Sequence, residues 1–107
     1  MPEHGELVGE VIVGPVKVAV RHSCARRDLY ELSAPAPLPG ALRDQMAALG
    51  DLKGTEALYV VDMPGSQQIT VSPKSGRVVI MPRLLRTRPE QRVAALRIAE
   101  LIAELLK

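Results

Sequence analysis

The alternation of apolar and polar positions divides the chain into β-like runs, a proline-rich break, a short helix, a second group of strands and a long helix. From Leu7 the run LVGEVIVGPVKVAVRHS is dense in Val and Ile. Within it Val16, Val18 and Val20 alternate with Lys17, Ala19 and Arg21, the two-residue period of a half-buried strand. Gly14-Pro15 interrupts the run. A hairpin turn with glycine at positive φ is expected there, and a bend in one long strand is the alternative. Asp28 to Ser33 alternates as well, Leu29, Glu31 and Ser33 against Tyr30 and Leu32. It predicts a strand returning against Val16 to Arg21 through a loop around Cys24, with a short helix as the alternative. Met1 to Glu6 is polar and reads as a loose terminus.

Ser33 to Gly40 (SAPAPLPG) places prolines at alternate positions, which predicts an extended, polyproline-like crossing that carries the chain over a sheet edge. Ala41 to Leu49 then has Leu42, Met46 and Leu49 on one helical face, with Gly50 as the stop. Glu56 to Asp62 reads as a buried strand ended by Met63-Pro64-Gly65. In Gln67 to Ser72, Ile69 and Val71 face one way and Gln68, Thr70 and Ser72 the other. Ser72-Pro73-Lys74-Ser75-Gly76 carries the proline and glycine of a tight turn, and Arg77 to Met81 is the return strand.

Thr87 to Lys107 predicts the long helix. Thr87 followed by Glu90 is the reciprocal capping pattern, and Pro89 falls in the first turn, where its missing N–H costs nothing. Arg97, Glu100, Glu104 and Lys107 form one polar stripe, and most of the remaining circumference is apolar. A helix lying on one sheet needs an apolar arc of little more than about 100°, so this one is expected to touch two surfaces. The other helix of the chain is brief, so a second subunit or a different protein is expected on Leu96, Ala99, Ile102, Ala103 and Leu106. The mixed charges of the polar stripe argue against a membrane surface.

These elements predict an α+β domain over residues 7–107: one antiparallel sheet of five to six strands, with a short middle helix and a long C-terminal helix packed on it. The order of elements resembles the small domains of the roadblock and longin type, without their usual first or last helix. The resemblance lies in that order alone and involves no motif.

Composition narrows function more by exclusion than by sign. At 107 residues with 47% hydrophobic and 24% charged content, the chain is long enough for a core and too apolar for disorder. It has two Tyr and neither Phe nor Trp. The core must therefore be aliphatic, and base-stacking platforms for single-stranded nucleic acid are scarce. A net charge of +2 makes no case for coating DNA. The single cysteine and the lack of a leader-like opening predict a cytoplasmic protein.

Three features carry candidate chemistry. His22 and Cys24, with Asp28 nearby, are the closest approach to a metal or nucleophile cluster, but structural zinc requires four ligands and the other histidine is His4. Cys24 beside Arg21, Arg26 and Arg27 is a redox candidate only. Arg83, Arg86, Arg88 and Arg92 gather at the start of the last helix and suit an acidic partner or a phosphate. No Gly-rich phosphate loop, G-x-S-x-G turn or H-E-x-x-H helix is present. The expectation is a non-catalytic protein-interaction or adaptor module with no cofactor, self-associating through the last helix and a sheet edge. Nucleic-acid binding through the arginines and ligand or redox chemistry at the His22/Cys24 loop are the alternatives.

Overall fold

Two valine-rich runs separated by only two residues can fold back on each other only if the connecting turn tolerates a positive φ. Gly14 supplies it at 55°, so β1 (Leu7–Val13) and β2 (Val16–Cys24) form a hairpin, with Val13 opposite Val16. A computed structural model describes residues 5–24, 27–83 and 87–107, with Cys24 described in its backbone alone. β3 (Arg27–Ser33) returns along β2. After the proline segment and α1 (Gly40–Ala47), the chain makes β4 (Asp51–Gly54), β5 (Tyr59–Met63), β6 (Gln67–Ser72) and β7 (Arg77–Pro82), and ends with α2 (Arg88–Leu105).

The strands form one sheet in the order β1-β2-β3-β7-β6-β5-β4, and every neighbouring pair is antiparallel. Among the described residues there are seven strands, where five to six were expected. The addition is β4, whose Asp-Leu-Lys-Gly offers a single apolar residue and therefore no legible alternation. Its partner β5 begins later than the sequence suggested. Thr55 Oγ1 accepts from the backbone N–H of Ala57 and Leu58 at 3.2 and 3.3 Å, and this closes a turn where strand was expected.

The proline segment also differs from the extended crossing read from its spacing. It bends at residues 35–37, with a cis peptide between Ala36 and Pro37. Leu38, just past the bend, is buried in the core. Two backbone bonds fasten the bend to the β6–β7 connection: Ala34 N–H to Gly76 O, and Leu38 N–H to Pro73 O, both at 2.9 Å. Gly76 sits there at φ 69°, which few residues with a side chain adopt.

Cross-strand register stacks the apolar positions into rows. Val11, Val18, Leu32, Val78, Val71 and Tyr59 form one, and Val20, Tyr30, Ile80, Ile69 and Val61 form the next. Both rows lie under the helices, and all but the edge residue Val11 are buried. The opposite face carries no helix among the described residues and mixes polar positions with Ile12, Leu29, Val60, Val79 and Met81. At its middle, Glu31 accepts from Arg21 on one neighbouring strand at 3.2 Å and from Arg77 on the other at 3.3 Å.

The start of α2 follows the capping pattern read from its sequence. Thr87 Oγ1 accepts from Glu90 N–H at 3.4 Å, and the Glu90 carboxylate accepts from Thr87 N–H at 3.2 Å. The N-terminal end of α2 is tied down by the Arg88–Asp28 pair at 3.6 Å and by Gln67 Nε2, which donates to Ala94 O at 3.4 Å. Its far end crosses the β1–β2 turn, where a Cβ on Gly14 would lie 3.5 Å from that of Ala103. The shorter α1 lies beside it, with Arg43 over the Tyr59 ring at 5.8 Å. Among the described residues no helix is long and apolar enough to cross a membrane.

Both tyrosines sit in the core, and burial raises each pKa above the ordinary tyrosine value near 10.0. For Tyr30 the neighbouring Asp28 adds to the rise, while Arg92 and Arg88 oppose it; for Tyr59 it is Arg43 that opposes. The folded state thus holds these protons more tightly than the unfolded state. Their contribution to stability is complete below the unfolded value and is lost as pH rises through the folded one. In an alkaline titration, tyrosinate absorbance is expected to appear later than for free tyrosine and together with loss of far-ultraviolet circular dichroism. Early ionisation with the fold intact would contradict the burial of both rings.

Candidate functional site

The helix that was expected to meet a partner divides into an inner stripe and two flanks. Ala99, Ile102 and Ala103, named from the sequence as interface residues, are buried against the chain's own sheet, with Ile102 only 1% exposed. Leu96 and Leu106 are half-buried against the same core. The spacing Leu96, Ala99, Ala103, Leu106 is three, four and three, which lines these residues along one flank. The approach of Ala103 to Gly14 shows that this flank is turned toward the β1–β2 hairpin. Any partner on that side therefore meets the rims of Leu96 and Leu106 together with β1, and the three inner residues are closed to it.

β1 is the free edge on that side. Leu7, Val8 and Ile12 are 48%, 45% and 66% exposed, the last of them well outside what an aliphatic strand residue needs for its own fold. Among the described residues the strand pairs with β2 alone, so its other side presents backbone N–H and C=O groups along a seven-residue strand. Edge strands are usually kept from pairing with other chains by shortness, charge, proline or bulges. β4 at the opposite edge has two of these protections: it is four residues long and carries Asp51 and Lys53. β1 has one charge, Glu10, which faces Lys17 of β2 at 3.5 Å, and an irregular register between Leu7 and Gly9. Ile12 lies beyond both.

Part of the basic group is already engaged within the fold. Arg83 forms an ion pair with Asp62, and Arg88 pairs with Asp28, so two of the four guanidiniums are satisfied by carboxylates of the chain itself. Arg92 is exposed on α2, and Arg86 lies outside the described residues. Arg83 and Arg88, neighbours in the sequence cluster, are thus directed to the β5 end and the β3 start, each holding a different strand.

His22 stands opposite Asp28 in the β2–β3 register, half-buried, and Asp28 is engaged by Arg88. Cys24 closes β2 opposite Arg27, and its side chain lies outside the described residues, as do Arg26 and His4. Among the described residues, no group of three or more His, Cys, Asp or Glu is placed to hold a metal ion.

Comparison with protein-family models, with curated proteins and with solved structures finds no match for this chain. Function must therefore be argued from the surface itself. Sequence reasoning passed over the exposed side of β1, although Ile12 between Val11 and Val13 breaks the alternation with an apolar residue facing outward.

Substitution separates what is core from what is surface on α2. Ile102→Ala is expected to lower the unfolding free energy by roughly 3 kcal/mol, as for other buried aliphatic truncations. Val93→Ala, at a site 53% exposed, should cost under about 1 kcal/mol. Urea unfolding monitored by circular dichroism reads both. A loss at Ile102 no larger than that at Val93 would mean that Ile102 is not buried by the chain itself.

Proposed function

We propose that the protein is a non-catalytic interaction module that self-associates through the free edge of β1, with the Leu96/Leu106 flank of α2 flanking the contact. The observation that carries this reading is the seven-residue aliphatic edge strand with Ile12 66% exposed. Strand addition gives such an edge its backbone hydrogen bonds, and the alternate side chains give it register.

A second copy fits this edge on charge. Two antiparallel β1 strands centred on Glu10 would place like charges opposite each other, which is unfavourable. Centred on Val11, each Glu10 meets an Ile12, Val11 meets its own copy and each Val13 meets a Gly9. The outer face, with Glu31 between Arg21 and Arg77, then continues from one copy to the next. In this reading Arg83 and Arg88 hold strand and helix in place through Asp62 and Asp28, which sets the nucleic-acid alternative behind self-association.

The test is light scattering behind a sizing column, with the ultraviolet spectrum recorded on the same peak. The wild-type chain is expected at twice the monomer mass. Ile12→Glu sets a carboxylate against Glu10 of the other copy while facing Lys17 within its own chain, and is expected to give a folded monomer with an unchanged circular dichroism spectrum. A wild-type protein that stays monomeric at all concentrations, or an Ile12→Glu variant that stays dimeric, overturns the β1 contact. The chain has two tyrosines and no tryptophan, so a copurified nucleic acid would dominate the spectrum and transfer the function to the arginines.

A further inference from the structure

The other flank of α2, turned away from β1, borders a groove of about 590 Å³ that runs to the end of α1 and the β5–β6 turn. Its size is that of clefts that hold small organic ligands, roughly 300–1,000 Å³. The walls are mainly aliphatic: Leu49 beyond α1, Met63 at the end of β5, and Val93, Ala94, Ile98 and Leu101 along α2. Leu49 and Val93 are 37% and 53% exposed, so the apolar walls stand open to solvent.

Two polar groups give the groove a chemical sense. Gln67 is 1% exposed and belongs to its lining. Its Nε2 is held between Ala94 O at 3.4 Å and Met63 Sδ at 3.7 Å, while its Oε1 is buried without a hydrogen-bond partner. Turning the amide over would not relieve this, because it would set Oε1 against the Ala94 carbonyl. A buried acceptor in this position is stabilised by an incoming donor. The second group is Arg97, one turn along α2 from Ala94, exposed and with no acidic partner among the described residues. Glu90 also borders the groove, but its carboxylate is engaged by Thr87 at the helix start.

We propose that this groove binds an acyl chain whose head carries both an N–H donor and a carboxylate, the chemistry of an N-acyl amino acid. The chain lies along Leu49, Val93 and Leu101, the N–H meets Gln67 Oε1, and the carboxylate meets Arg97. The aliphatic walls account for the chain, the orphaned oxygen for the donor, and the free guanidinium for the anion. This site is on the opposite flank from the β1 edge and stands or falls independently of self-association.

The test is a titration of N-decanoylglycine, below its micelle-forming concentration, into methyl-labelled protein followed by nuclear magnetic resonance. Saturable shifts are expected at Leu49, Met63, Val93, Ile98 and Leu101. Arg97→Gln is expected to weaken binding about fivefold, as for loss of an exposed ion pair. Decanoate, which has no N–H donor, should bind wild-type protein more weakly than N-decanoylglycine does, and Gln67→Leu should remove that preference. The proposal is overturned if no saturable shift appears. It is also overturned if decyltrimethylammonium binds as well as the anion, or if these methyls shift on dilution of the protein alone, which would mean that a second copy fills the groove. Should Gln67→Leu fail to fold, the Arg97→Gln and decanoate comparisons decide the matter in the wild-type fold.

Discussion

The structure depends on how closely a helix can approach a sheet when only two large rings, Tyr30 and Tyr59, are available to fill the space between them. α2 solves this with Ala95, Ala99 and Ala103, spaced by four along its inner stripe and all buried, while Ile98 and Ile102 fill the gaps beside them. Alanines bring the helix backbone down onto the valine rows, and the close contact replaces the bulk of the missing aromatics. This one helix touches β1, β2, β3 and β7, so the first hairpin and the last strand share a single cover. α1 lies over the other half of the sheet, and the groove runs where the two covers fail to meet.

The elements whose periodicity was strong were legible. The two-residue alternation of β2 and β6, the Gly14 turn and the Thr87/Glu90 cap all appear where their spacing puts them, because in each case a local rule and the global fold agree. The failures lie where tertiary contact overrides local pattern. Three prolines imply an extended chain, yet burial of Leu38 and two bonds to the β6–β7 connection bend it. β4 exists because β5 offers it a partner, and nothing in Asp-Leu-Lys-Gly announces it.

The candidate surfaces were legible in a different measure. That α2 carries more apolar circumference than its own sheet needs could be read from composition and spacing, but which flank stays open depends on the direction of the helix across the strands. That direction is set by contacts far apart in sequence, Arg88 with Asp28 at one end and Ala103 with Gly14 at the other. Of the arginines that are neighbours in sequence, Arg83 and Arg88 reach carboxylates on different strands, a separation that linear proximity does not show. The orphaned amide had a readable sign. In a strand where Ile69 and Val71 face inward, Gln67 shares their parity, so the alternation that located the core also pointed a polar side chain into it.

The two ends of the sheet differ in a way that bears on how large an assembly could become. A flat aliphatic edge at both ends would let copies add indefinitely, strand against strand, as fibres do. Here one edge is long and aliphatic, and the other is four residues with an acid, a base and a glycine. Once two long edges have met face to face, the outermost strands on both sides are the short, charged kind. On the proposed contact, growth would end there, with no long aliphatic edge left as a template for a third chain.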